Sequence, residues 1–232
     1  MIDAIFTIDY ELFGDGSGDL YQHMLEPTKE LKRIFDLHNS KLVFFVEAAE
    51  LLKISNTNND EKIYEIEKQI NQLYNQKYEI DLHIHSQWFN AKLTNGNWAL
   101  DYSEYNLSEL TKDKIDIYIK ECITYLQKIV NNGNYIPTAY RAGGWLIQPS
   151  SLISKVLLEN NIKIDSSVFK GGKQYYRGLD FRESLKNPYW WRFDDDINKP
   201  SKNGRLVQIP IYSRMVPIWK MYTSKRKKII YN

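Results

Sequence analysis

Two of the four histidines in this 232-residue chain lie two residues apart, at His83 and His85, within Asp81-Leu82-His83-Ile84-His85-Ser86-Gln87-Trp88. Tyr78, Ile80, Leu82 and Ile84 alternate with Glu79, Asp81, His83 and His85, so an extended strand puts both imidazoles on one face, beside carboxylates. Neutral imidazoles placed that way can reach one cation, and the donor type suits zinc and related transition metals. A solvated or packed strand shows the same local pattern, so the pair needs acids from elsewhere to become a site. Thr7-Ile8-Asp9-Tyr10-Glu11 supplies them: it ends another strand with Asp9 and Glu11 on one face.

The elements that must position these residues follow from periodicity and turn residues. Residues 2–9 read as a buried strand, followed by a loop holding Gly14, Gly16 and Gly18. The loop is acidic and no Gly-Lys-Ser/Thr follows, so it suits an active site better than a phosphate cradle. A helix opens near Pro27. Residues 41–46 form a second strand, with helices over 48–54 and 60–77. The two-histidine strand spans 79–85, and an irregular Trp- and Asn-rich segment 86–107. The longest helix is predicted over 108–132, capped by Ser108 and ended by Gly133. A strand over 136–141 runs into Ala142-Gly143-Gly144-Trp145, whose glycines permit a tight turn. A helix over 150–159, a short strand over 162–165, a mainly loop region over 166–203 and a strand over 206–212 complete the pattern. Strands alternating with helices predict a largely parallel sheet. In a closed β/α barrel the chemistry sits on the loops after the strands. Four strand ends then carry Asp9 with Glu11, His83 with His85, Arg141, and Asp165, which are expected to converge. By the same logic His23 lies on the catalytic face and His38 on the opposite one.

Composition fits one domain over residues 1–232. Apolar residues make up 43% and charged residues 26%, an ordinary globular balance. No apolar run approaches the roughly 18–20 residues that span a bilayer, and no signal peptide opens the chain, so a cytoplasmic location without membrane insertion is expected. The single Cys122 lies on an apolar helical stripe and reads as a core residue. The net charge of +2 conceals a basic tail: without Lys220, Lys225, Arg226, Lys227 and Lys228 there are 26 cations against 29 acids. Such a tail reads as a solvated end, and nothing else points to nucleic acid. The last residues, Ile229-Ile230-Tyr231-Asn232, are strand-like with no closing element, which suggests that the native chain continues.

Taken in order, these motifs resemble the polysaccharide deacetylase family, whose domain is also called the NodB homology domain of carbohydrate esterases. The resemblance covers about residues 3–212. Thr7-Ile8-Asp9-Tyr10-Glu11 stands where the family has Thr-Phe-Asp-Asp-Gly, and Phe44-Phe45-Val46 matches its Phe-Phe-Val. His83-Ile84-His85-Ser86-Gln87 is similar to its His-Ser/Thr-x-x-His. Arg141-Ala142-Gly143-Gly144-Trp145 resembles its Arg-x-Pro-x-Gly turn, and Asp165-Ser166-Ser167-Val168-Phe169 its late Asp motif. The resemblance implies an α/β fold, a distorted (β/α)7-type barrel of the polysaccharide deacetylase type, with its last element expected to be missing at the C-terminus. It also implies metal-assisted removal of an acyl group, usually acetyl, from an amino sugar or sugar nucleotide in surface-polysaccharide assembly. A divalent metal, zinc by donor type, would polarise the amide carbonyl and acidify water while a carboxylate takes the proton. Asp9 matches the base position, Arg141 would orient it, and Asp165 matches the late catalytic Asp.

The departures are specific. Tyr10 replaces a metal-binding carboxylate and Gln87 a ligand histidine. Glu11, His83 and His85 form the candidate replacement triad, leaving a position open for water. Asp9 as a direct ligand, or Gln87 through its amide oxygen, are the other options. No histidine follows His85, although the family's last motif carries one that protonates the leaving amine. A missing C-terminal segment, substitution by His23 or a tyrosine, or loss of amide cleavage would each account for this. Aromatic faces suit sugar rings, and Trp145 and Trp88 are the candidate substrate contacts. Two other functions are compatible with the motifs: a saccharide-binding pseudoenzyme, and a metal-independent hydrolase of a small cyclic amide using Asp9 and Glu11.

Overall fold

The computed structural model describes residues 4–57 and 60–213. The basic run over 220–228 and the strand-like end over 229–232 lie outside the described residues. In chain order the elements are β1 (Thr7–Tyr10), a wide helical turn (Leu20–Leu25) running into α1 (Glu26–Leu37), β2 (Val43–Glu47), α2 (Ala48–Thr57), α3 (Ile63–Asn75) and β3 (Glu79–Ile84). Next come the hairpin β4 (Lys92–Thr94) and β5 (Asn97–Ala99), then α4 (Lys112–Val130), β6 (Ala139–Ala142), α5 (Ser150–Glu159) and β7 (Ile164–Asp165). The short strands β8 (Lys173–Gln174), β9 (Leu179–Asp180), β10 (Trp191–Phe193) and β11 (Leu206–Gln208) follow. Seven strands form the main sheet in the order β1-β2-β3-β6-β7-β11-β10. All neighbours in it run parallel except β10 against β11. The fold is therefore mixed α/β with a mostly parallel sheet, as expected from the alternation. No membrane-crossing helix occurs among the described residues.

Alternation gives the sheet one apolar and one polar face. Register aligns Tyr10, Val46, Leu82 and Tyr140 across β1, β2, β3 and β6. This row belongs to the core together with Ile66 and Ile70 of α3 and Ile119, Cys122 and Leu126 of α4. Burying each such side chain stabilises by about 1.5–3 kcal/mol, so helix docking on this face can carry the fold and free the opposite face for polar residues. Cys122 is wholly buried there. The opposite face carries Asp9, Phe45 and Asp81 in one row and Glu47, His83 and Arg141 in the next.

The sheet must curve strongly. Arg141 on β6 is three strands from β1, about 14 Å across a flat sheet, yet its Nη1 lies 2.5 Å from Asp9 Oδ1 and its Nη2 2.9 Å from Thr7 Oγ1. One arginine side chain bridges these strands only if the polar face is concave, as in the interior of a barrel. Among the described residues β1 and β10 are the two edges, so the expected barrel is present as curvature and the recorded sheet is open.

Some boundaries differ from those predicted. Helix α4 begins after Thr111 and ends at Asn131, whose left-handed backbone (φ 53°) closes it two residues before Gly133. Asparagine tolerates that conformation. Ser108 instead donates to the Leu146 carbonyl (3.1 Å). The last strand stops at Gln208, short of 212; Pro210 offers no N–H, and Ile211 continues only as an isolated bridge to Phe169.

Candidate metal centre

Glu11, Glu47, His83 and His85 bring one ligand atom each within 4.8 Å of one another. Each arrives by strand geometry: Glu47 closes β2 in register with His83, and Glu11 and His85 follow β1 and β3. His85 keeps an extended backbone (φ −102°, ψ 106°), so the strand alternation holds through it. His85 Nδ1 lies 2.9 Å from Glu47 Oε2 and 3.1 Å from Glu11 Oε2, and His83 Nε2 lies 3.4 Å from the same Glu11 oxygen. Ligand atoms about 2.0–2.1 Å from a tetrahedral metal sit about 3.3 Å apart, so these separations match the edges of a coordination shell.

Hydrogen bonding supports the same assignment. His83 Nδ1 is 2.8 Å from the Arg141 carbonyl. A carbonyl only accepts, so Nδ1 carries the proton and the neutral ring presents the Nε2 lone pair to Glu11. His83 Nε2 and Glu11 Oε2 are both buried without a hydrogen-bond partner. Two acceptors facing each other away from water are satisfied either by a cation between them or by a proton on the ring. Backbone anchoring of the distal nitrogen is also how ligating histidines are oriented. Without a metal, protons must serve: partial burial alone would raise the pKa of Glu11, but both imidazoles hold its carboxyl well below the usual range. Burial opposes charge on the rings, yet Glu11 pushes His83 up, and Glu11 with Glu47 pushes His85 up. The donor set of two imidazoles and one or two carboxylates fits a divalent cation.

Glu47 is not singled out by the sequence pattern. It follows Phe44-Phe45-Val46 and shares the face of Phe45, a step-of-two signal at the point where strand gives way to helix. Its side chain is fully buried. Its Oε1 accepts from the backbone N–H groups of Ala49 (3.2 Å) and Glu50 (3.3 Å) at the start of α2, leaving Oε2 for the cluster. Behind it Glu50, pushed well up by burial and then by Glu47, accepts from the Leu12 N–H. Tyr10 turns to the helix layer, where its hydroxyl donates to Gln69 (2.6 Å); Glu11 faces the site in its stead.

Beside the cluster, Asp9 is held by Arg141, which is 4% exposed. Arg141 also donates to the Ser166 carbonyl and hydroxyl (both 3.1 Å) and lies over the Phe45 ring at 4.0 Å. With every arm of the guanidinium engaged, Asp9 is aimed into the partly open cleft. Asp165 does not join this group. It pairs in register with Tyr140 and Gln208, on the row facing the helices, and burial pushes its pKa up to about 7. Its carboxylate accepts from the Ser167 N–H and hydroxyl (both 2.8 Å), and Ser167 Oγ accepts from the Ala142 N–H. Asp165 thus braces the turn that grips Arg141: three of the four strand ends expected to converge do so, and the end of β2, through Glu47, takes the place of Asp165. Trp88 also needs correction as a sugar contact, because it is 0% exposed and packs edge-on against Trp98. Trp145 remains available: it is 36% exposed, with a left-handed backbone (φ 61°). Gln87 is buried, with neither amide atom hydrogen-bonded. His23 is exposed, with its Nδ1 on the Asp19 N–H (2.9 Å).

Gly143 makes room for His85. A Cβ there would meet His85 Cδ2 at 2.5 Å and the Ile84 carbonyl oxygen at 2.6 Å. Gly143→Ala is therefore expected to displace the His85 ring and weaken metal affinity about 10- to 100-fold, the scale of losses from disturbed ligand support. Competition titration against a chromogenic chelator checks this; unchanged affinity would mean that His85 does not bind the metal.

No family model matches the chain, and no curated protein matches its sequence. Among solved structures it is similar to the Bc1960 peptidoglycan N-acetylglucosamine deacetylase in complex with a hydroxamate, at 18% identity and a TM-score of 0.42, over 70% of this chain and 55% of that one. It is also similar to a mutant of BA3943, a CE4 family pseudoenzyme with restored enzymatic activity, at 15% identity and a TM-score of 0.40, over 69% and 43%. The chain spans about half the length of these solved chains.

Proposed function

We propose that this protein is a metal-dependent hydrolase of the polysaccharide deacetylase type, removing an acyl group, acetyl by family resemblance, from an amino sugar or sugar nucleotide. A cytoplasmic role in surface-polysaccharide assembly goes with that reading. The observation that carries it is the facing pair of unpartnered buried acceptors, Glu11 Oε2 and His83 Nε2, beside a carboxylate held by a buried arginine. Glu11, His83 and His85 would hold the cation, zinc by donor type, with Glu47 as a fourth ligand or as the acceptor that orients His85. Bound there, a divalent cation supplies polarisation of an acyl carbonyl and acidification of water. Asp9 would accept the proton of the attacking water, and Arg141 keeps its carboxylate oriented for that transfer. Trp145 offers an apolar face to the sugar ring.

The test is acetate release from N-acetylglucosamine oligomers and nucleotide-linked N-acetylglucosamine. Activity is expected to vanish on chelation and return on adding zinc. Activity that survives chelation would sink the proposal in favour of metal-independent amide hydrolysis. A second reading draws on Tyr10 and Gln87, which stand where the resemblance places two metal ligands and do not join the cluster: a saccharide-binding protein without acyl release. Sugar binding with no acetate released by the metal-loaded protein would select it.

A further inference from the structure

A cavity of about 500 Å³ opens beside the candidate metal centre, lined by Tyr102, Tyr105, Asn106, Leu146, Tyr176 and Arg177 among others. It lies next to the candidate chemistry through two consecutive glycines. Gly143 lies against the His85 ring, while a Cβ on Gly144 would meet Arg177 Nη1 at 2.9 Å and Tyr105 Oη at 3.0 Å. Adjacent Cα atoms are 3.8 Å apart, which keeps the guanidinium within about 12 Å of His85. Ser86, next to His85, ties the cavity wall to the centre by donating to the carbonyls of Glu104 and Tyr105.

Arg177 is an unusual group to find there. Its guanidinium lies over the rings of Tyr105 and Tyr176, 5.3 Å from each centroid. Among the described residues its one hydrogen bond is a long one to the Gly144 carbonyl (3.4 Å), and it pairs with no carboxylate there. Glu104 in the same wall is already engaged by Lys114, Asn90 and the Tyr118 hydroxyl. Glu109 lies at the exposed rim, where solvent and salt screen it. A guanidinium flanked by aromatic rings and holding free donors is suited to a planar, bidentate anion.

We propose that this cavity is a subsite for an anionic group, phosphate or carboxylate, carried by the substrate about one sugar ring from the acyl group, with Arg177 as the residue that reads the charge. The inference rests on the deacylase reading for the identity of the substrate and narrows that substrate to an acidic or phosphorylated saccharide. Tyr105 and Tyr176 hold the guanidinium in place and offer ring faces to the sugar.

The test is calorimetric binding to the full chain of three probes: N-acetylglucosamine, N-acetylglucosamine 1-phosphate and N-acetylmuramic acid. One or both anionic sugars should bind about 10- to 100-fold more tightly than the neutral one, the scale of a charge-assisted hydrogen-bonded pair. The anion with the larger gain identifies the native chemistry. Arg177→Gln should remove the difference and Arg177→Lys restore part of it, while removal of metal by chelation should leave it intact. Equal affinities in the native protein would overturn the inference, as would a difference that persists in Arg177→Gln or disappears on chelation. Failure to release acetate would count against the deacylase reading alone, since an Arg177-dependent preference would still establish the anion subsite.

Discussion

His83→Ala is expected to abolish stable metal binding and to lower acyl release by about a thousandfold or more. The side chain is buried, its Nδ1 proton is committed to the Arg141 carbonyl, and its Nε2 faces Glu11 Oε2 at 3.4 Å with no other partner, so a bound cation would be shared between the two. Alanine removes that lone pair and leaves Glu11 Oε2 facing a void, so the loss exceeds the 10- to 100-fold typical of disturbing a ligand's support. Metal content by mass spectrometry, acetate release and circular dichroism on the same preparation separate loss of metal from loss of fold. A folded His83→Ala protein with full metal content would remove His83 from the site. The same assay on Glu47→Gln assigns Glu47: a fall in metal affinity like that of His83→Ala makes it a ligand, whereas a smaller fall makes it the residue that orients His85.

Arg141→Met should destabilise the fold by about 3–5 kcal/mol, the usual cost of removing one member of a buried ion pair. The guanidinium ties β6 to Thr7 and Asp9 on β1 and to Ser166 beyond β7. Its loss strands these acceptors together and releases the curvature that brings Asp9 to the candidate metal ligands. Arg141→Lys keeps the charge but cannot satisfy four acceptors from one ammonium group, so intermediate stability is expected, with acetate release still strongly impaired. Urea denaturation with linear extrapolation gives the stability change. A loss below about 1 kcal/mol in the Met variant would show the network to be incidental.

Asp9, Glu11, His83, His85 and Arg141 are legible in the sequence because strand alternation assigns faces without tertiary information. Glu47 is not, because it stands where period two gives way to a helix that begins at the next residue. Asp165 illustrates the opposite failure: Ile162-Lys163-Ile164-Asp165 alternates and puts Asp165 on the polar side, but the strand is only Ile164–Asp165, and its register with Tyr140 places Asp165 on the helix side. Trp88 sits in a segment without periodicity, where composition says nothing of burial. The parallel sheet follows from the order of elements, but its curvature does not. That depends on a contact between Arg141 and Asp9, 132 residues apart in sequence.

The junction between β2 and α2 separates what can change in this protein from what cannot. Val43–Glu47 passes into Ala48–Thr57 with no intervening residue, so the Glu47 carboxylate is fixed jointly by a sheet register and by the first N–H groups of a helix. No insertion can move it without breaking one or the other. Tyr102, Tyr105, Trp145, Tyr176 and Arg177, in contrast, all stand on short helical turns between the strands, where length and sequence can vary at little thermodynamic cost. The candidate ligand cluster thus stands on strand ends, and the candidate subsite stands on the turns between them. Directed evolution of this scaffold can randomise the Tyr102–Glu104 and Tyr175–Arg177 turns to seek new ligands, provided Gly143, which lies against His85, is kept.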